Sequence, residues 1–205
     1  MDKKNDWNLE LSEYIKQGEP NQVEKTKTWE TAIGLQDVDG LKPSKYLIKT
    51  AKEHIEGTID IEEVKTRIDE YYEVQGSMKN FEKENEEADK VAVRIAEILS
   101  EKAFNFSPTE LLNIHKRLFK DIFDGAGVYR DYNFTKKEWV LNGDTVIYAP
   151  FDTIKETLEY DFDQEKNFLY KGLSLDESIK HLCKFTSNIW QVHPFCEGNT
   201  RTTAV

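Results

Sequence analysis

The sequence predicts an all-α protein interrupted by a single β-hairpin. Ser44, Asp60, Ser107 and Ser174 each stand just ahead of a run whose apolar residues recur at helical spacing. The stretch KKEWVLNGDTVIYAP, residues 136–150, instead alternates in part between apolar and polar residues and carries Asn142-Gly143, the strongest short-range hairpin signal. No run of about eighteen apolar residues interrupts this pattern.

The elements follow in order. The first thirty residues are polar, and Gly18-Glu-Pro20 and Gly40-Leu-Lys-Pro43 punctuate the start of the chain. Ser44 caps a segment through Glu56 with Leu47, Ile48, Ala51 and Ile55 at helical spacing and Gly57 just beyond. Asp60 and Glu63 mark a second helix start, followed by Ile61, Val64, Ile68, Tyr71 and Tyr72. Two short amphipathic helices are therefore expected before residue 75. The charged stretch QGSMKNFEKENEEAD suggests a boundary near Gly76, which divides the chain into a helical region 1–75 and a core 76–205. Beyond it, Ala88, Val91, Ala92, Ile95, Ile98 and Leu99 predict a helix established by Ala88. Ser107-Pro108-Thr109-Glu110 combines a cap, a proline at the first helical position and a capping-box glutamate. The helix it opens carries Leu111, Ile114, His115, Leu118 and Phe119 on one face. Ser174 and Glu177 repeat the signature for a helix with Ile179, Leu182, Cys183, Thr186 and Ile189, which delivers the chain to Val192.

Composition excludes some functions. The 205 residues carry a net charge of −11, which argues against general phosphate-backbone binding by clustered Lys and Arg, so no nucleic-acid partner is expected. The N-terminal MDKKNDWNLELSEY has no apolar signal core, and no membrane partner and a cytoplasmic location are expected. Cys183 and Cys196 are the only cysteines and read as reduced thiols.

The chemistry concentrates in WQVHPFCEGNTRTTAV. Gly198-Asn199 followed by a helix start at Thr200 makes a turn whose backbone N–H groups can converge on phosphate. Arg201 offers a guanidinium fork for further phosphate oxygens. Glu197, at the rim, would repel phosphate unless a divalent cation such as Mg²⁺ lay between them. His193 has a near-neutral ring suited to taking a proton from a hydroxyl. Together these residues describe transfer of a phosphorus-centred group from a Mg-nucleotide to an alcohol.

The string from His193 to Arg201 resembles the Fic family motif H-P-F-x-[D/E]-G-N-[G/K]-R-x-x-R, and LLNIHKRLFKDIFDGAGVYRDYN looks like the family's core helix followed by its G-x-[YW]-R element. The resemblance runs from about Asp89 to Val205. It implies an all-α Fic core with a hairpin flap, from about Trp139 to Ala149, that grips an extended target peptide. The implied activity is transfer of AMP from ATP, with Mg²⁺, to a Tyr, Ser or Thr hydroxyl of a protein. By that implication His193 is the base and Glu197 holds Mg²⁺. The turn at Gly198, Asn199 and Thr200 binds phosphates, Arg201 steadies the leaving pyrophosphate, and Phe195 anchors the loop. Val140, Leu141, Thr145, Val146, Ile147 and Tyr148 are the flap residues for target binding.

The sequence departs from the motif at two places. Thr200 stands where adenylylating members carry Gly and the phosphotransferase-like Doc branch carries Lys, and Ala204 stands in place of the second Arg. Transfer of phosphate, or a non-catalytic module that acts by protein binding, are the alternatives. The fold's later helices are expected to be missing after Val205. The segment VDGLKPSKYLIKTAKEHIEGTIDIEEVKTRIDEYY resembles the helical antitoxin of some Fic systems, which places Asp39-Gly40 at the inhibitory Glu-Gly and implies regulation in cis. Of the remaining histidines, His115 reads as a hydrogen-bonded core residue, and His54 and His181 as incidental surface residues.

Overall fold

The computed structural model describes residues 6–75, 83–103, 105–137 and 142–205. The chain divides into two compact units, 1–102 and 103–205. The sequence reading places a boundary near Gly76; the packing places it after residue 102, because the helix that follows residue 82 buries Ala88, Val91, Ala92 and Ile95 within the first unit.

That first unit holds α1 (Asp6–Gln17), α2 (Pro20–Gly34), a 3₁₀ turn (Leu35–Asp39), α3 (Lys45–Ile55), α4 (Ile61–Gln75) and α5 (Lys83–Leu99). Among the described residues four helices thus precede residue 76, where the apolar spacing predicts two. The first pair escapes periodicity because its buried positions are sparse and mixed. Leu11 is the one large apolar anchor buried in α1, and α2 buries Thr26, Trp29, Ala32 and Ile33. The other two begin as their caps predict: Ser44 Oγ accepts the Leu47 amide at 3.0 Å, and Asp60 Oδ1 accepts the Glu63 amide at 2.8 Å. Leu47, Ala51, Val64 and Ile68 complete this core. Each fully buried large aliphatic chain contributes about 1.5–3 kcal/mol.

Two polar joints pin these helices. Asp89 on α5 is fully buried and accepts from the Ser44 amide (2.8 Å), the Ser44 hydroxyl and the Tyr72 hydroxyl (2.6 Å). Its pKa is raised, burial being the chief cause. His54 is buried too, contrary to its reading as a surface residue. Its Nδ1 accepts from Trp29 Nε1 at 3.0 Å while its backbone carbonyl accepts from Lys25 Nζ at 2.7 Å.

Unit two contains α6 (Pro108–Phe119), β1 (Thr135–Lys137), β2 (Thr145–Ile147), α7 (Ile154–Lys166), α8 (Leu175–Val192) and α9 (Asn199–Ala204). The caps at Ser107 and Ser174 form as the sequence predicts, the second as a full capping box with Glu177. The core gathers Leu111 of α6, Ile154, Leu158 and Phe162 of α7, Ile189 and Val192 of α8, and Phe195. Apolar periodicity does not mark α7, whose buried face is only Ile154, Leu158 and Phe162, spaced by four. Of the stripe predicted on α8, Ile189 is buried, whereas Ile179 and Leu182 are exposed.

The two strands pair antiparallel with Thr135 opposite Ile147, Lys136 opposite Val146 and Lys137 opposite Thr145. That register starts the hairpin earlier than the expected Trp139. Ahead of β2, Asn142 and Gly143 take the positive φ values of 56° and 88° that the dipeptide suggested. Among the described residues, no helix is long and apolar enough to cross a membrane.

His54 gives the first unit an acid sensitivity. Burial, aided by Lys25 and opposed by Asp60, lowers its pKa from 6.5 to about 4. Between those values the unfolded chain binds a proton that the folded one refuses, so stability falls as pH drops, by on the order of 3 kcal/mol across the window. Denaturant unfolding followed by tryptophan fluorescence should show this slope, and His54→Asn should make it shallower.

Candidate active site

The site grows from the end of α8. His193 follows the last helical residue with φ 50° and ψ 60°, a left-handed conformation that a residue other than glycine holds only when its surroundings impose it. The chain then turns through Pro194–Gly198 into α9. Asn199, His115 and Arg130 hold this turn through their side chains. Asn199, at the start of α9, accepts the Phe195 amide through Oδ1 (2.9 Å) and donates through Nδ2 to the Phe195 carbonyl (2.8 Å). His115 of α6 reaches the Glu197 carbonyl with Nε2 at 3.0 Å and accepts the Gly127 amide on Nδ1 at 2.8 Å. Because a carbonyl only accepts, Nε2 carries the proton. His115 also stacks on Phe195, with ring centroids 3.7 Å apart. Burial, with a smaller effect of Arg201, lowers its pKa to about 4 against the opposing Glu197 carbonyl, so it is a neutral structural group, as its place on an apolar face predicted.

Gly198 closes the turn at φ 73°, and a β-carbon there would lie 2.3 Å from Phe119 Cε2. Both the conformation and the contact demand glycine. Trp190 Nε1 donates to Thr200 Oγ1 at 3.0 Å, which ties α8 to α9.

His193 sits in an aromatic enclosure and is only 6% exposed. Tyr148 stacks on the imidazole at 4.0 Å and 19°, while Phe134 and Trp190 meet it edge-on at 5.5 and 5.9 Å. Its Nδ1 has no hydrogen-bond partner among the described residues. Burial lowers the ring's pKa to about 4, Lys136 and Arg130 adding to the effect. The Trp190 carbonyl, which accepts the His193 amide at 3.1 Å, opposes it. The imidazole is therefore neutral at physiological pH, with a lone pair able to accept a proton.

Arg130 lies beneath the same turn, 3% exposed. Its Nε donates to the His193 carbonyl (2.8 Å), Nη1 to the Tyr132 carbonyl (2.8 Å), and Nη2 to the Ala149 carbonyl and, at 3.3 Å, to the Val192 carbonyl. Its own amide donates to the Pro194 carbonyl at 2.9 Å.

The other expected site residues distribute as follows. Glu197 is exposed at the rim of the turn. Arg201 is buried, its guanidinium carbon 4.8 Å over the Phe119 ring. On and just after β2, Thr145 and Ile147 are exposed, whereas Val146 and Tyr148 are buried. Val140 and Leu141 lie outside the described residues. Asp39 is exposed in the first unit, and Gly40 takes φ 72° at the end of the 3₁₀ turn. Among the described residues, no cluster of three His, Cys, Asp or Glu could hold a metal by itself.

This arrangement meets a family match over the same residues: positions 105–205 match the Fic/DOC family. Residues 105–205 are a Fic/DOC family domain. A protein adenylyltransferase of Bartonella henselae is 35% identical over 108 residues, which cover 47% of this chain and 20% of that relative. The chain thus spans about a fifth of the relative's length.

Within the Fic/DOC domain the motif string is legible in the sequence, but the carbonyls that His115 and Arg130 hold in the turn are not. His115 and Arg130 both lie in segments quoted for the resemblance. A buried histidine and an arginine beside Gly-Val-Tyr were the available signals, yet their roles depend on carbonyls 60 or more residues away.

Replacing Gly198 by Ala should destabilise the domain by about 2 kcal/mol or more, from left-handed strain plus overpacking. Thermal denaturation checks this. Adding Phe119→Leu should recover part of the loss by making room for the new methyl.

Proposed function

We propose that the Fic/DOC domain transfers AMP from ATP to a hydroxyl side chain of a protein. The observation that carries this reading is the juxtaposition of a neutral, enclosed imidazole at His193 with a glycine turn at Gly198 that opens a helix. His193 removes the proton from the target hydroxyl as its oxygen attacks the α-phosphorus. A new P–O bond forms, the bond to pyrophosphate breaks, and the proton stays on the imidazole until solvent takes it.

An imidazole with a pKa near 4 is a weak base. A bound triphosphate brings negative charge beside it, which offsets Lys136 and Arg130 and raises its basicity when substrate is present. The amides at Gly198 and Asn199 cradle phosphate oxygens, and Arg201 steadies the departing pyrophosphate once it leaves the Phe119 ring. The donor set suits Mg²⁺ as that ion is usually bound, through one exposed carboxylate plus substrate phosphates, with Glu197 as the carboxylate. There it would neutralise charge on the phosphates. Thr145 and Ile147, on the outward side of β2, face the target peptide, which adds alongside as a strand.

The N-terminal unit enters the same proposal as a regulator in cis, acting through the exposed Asp39 beside Gly40. An Asp39→Ala chain that transfers at an unchanged rate would rule that out.

The chain should label protein in a lysate from ATP carrying the label on its α-phosphate, and His193→Ala should lower the rate by roughly 10²–10⁴-fold. Label from the γ-phosphate alone would instead mean phosphate transfer, and no label from either position would mean a binding module.

A further inference from the structure

Arg130 stands out among the buried charges. It is a guanidinium with no carboxylate partner among the described residues, and its cation instead faces four main-chain carbonyls: Tyr132, Ala149, Val192 and His193. A buried cation is tolerated only when dipoles replace its water, and here each dipole belongs to a segment that matters to the site. Ala149 closes the flap two residues after β2, Tyr132 leads into β1, and Val192 and His193 end α8. The amide of Arg130 on the Pro194 carbonyl adds the start of the turn. The Phe134 ring lies 5.4 Å from the guanidinium carbon and also meets the His193 imidazole edge-on.

The His193 carbonyl points at Arg130 Nε while the backbone is in the left-handed region. That conformation costs on the order of 1–3 kcal/mol and needs an external hold. Arg130 supplies a hold that joins the base to both ends of the flap.

We infer that Arg130 is a positioning residue that fixes the His193 main chain and the two roots of the flap in one register, so that a peptide hydroxyl aligned on the flap meets the imidazole. This rests on the proposed reaction for its catalytic meaning, but its structural content does not. The charged or titratable groups facing His193 are few. Lys136 comes from β1, Tyr148 follows β2, and Arg130 lies under the turn. Replacing Arg130 by a neutral side chain removes one of the two cations among the described residues that disfavour the protonated ring. Lysine keeps the charge but cannot fork to four carbonyls.

The test uses the full chain with Arg130→Lys and Arg130→Met, each followed by NMR of the His193 imidazole and by amide exchange at His193 and Phe151. In the parent, the ring should titrate at about 4. In Arg130→Met that midpoint should rise. In Arg130→Lys it should stay low, while amide protection near the turn and at the flap's end falls together in both variants. If AMP transfer is detected in the parent, both variants should lose on the order of tenfold to a hundredfold in kcat, with KM for ATP little changed.

An unmoved titration in Arg130→Met together with undisturbed amide protection would overturn the inference. So would two variants that do not fold, because Arg130 would then be a folding residue without separable effect on the base. A parent with no AMP transfer would count against the proposed reaction, while the NMR arms would still decide the role of Arg130.

Discussion

A turn between two helices, its residues buried from Val192 to Phe195, leaves carbonyls that no helix can pair, and the structure depends on donors brought to them from elsewhere in the second unit. From Val192 to Glu197 those donors are an arginine, a histidine and an asparagine. None of the three side chains is exposed. A buried carbonyl without a partner costs about 1–3 kcal/mol, so each donor stabilises the turn and also dictates its shape. The left-handed backbone at His193 follows from this constraint, as does the clearance that only a glycine at 198 can provide.

The same constraint separates the work of the motif's residues. Asn199 and Phe195 close the turn on itself, and His115 locks it to α6 through a ring that is neutral in the folded state. Residues whose side chains are engaged in this way keep the backbone amides in place, while Glu197 alone presents an exposed charged group at the rim. His193 stands between the two groups: its main chain is gripped by Arg130, and its ring is left to chemistry beneath Tyr148.

What the sequence revealed follows from the range of the interactions concerned. Capping at Ser44, Ser107 and Ser174 acts over three residues, so it is written locally, and those helices start where their caps predict. The motif string is contiguous and could be read in the same way. The polar N-terminal helices could not, because the buried face of α2 is short and mixes Thr26 with Trp29, Ala32 and Ile33, and Trp29 is also held by His54 across 25 residues. The hairpin was recognisable from Asn142-Gly143, yet its register was not, since pairing set Thr135 opposite Ile147. Tyr148 falls on the buried side with Val146, as the alternation places it, and there it stacks on the imidazole. The role of Arg130 was hidden because carbonyls have no signature in a sequence.

Phe119 shows what such packing means for motion. Its ring touches the space a β-carbon at 198 would occupy, lies under the Arg201 guanidinium, and meets His115 at 4.9 Å and Phe123 at 4.8 Å. A phenyl group walled on so many sides can rotate by half a turn only when its neighbours briefly part. The frequency of that rotation is therefore a natural clock for breathing of the turn, kept by an atom group that takes no part in the chemistry.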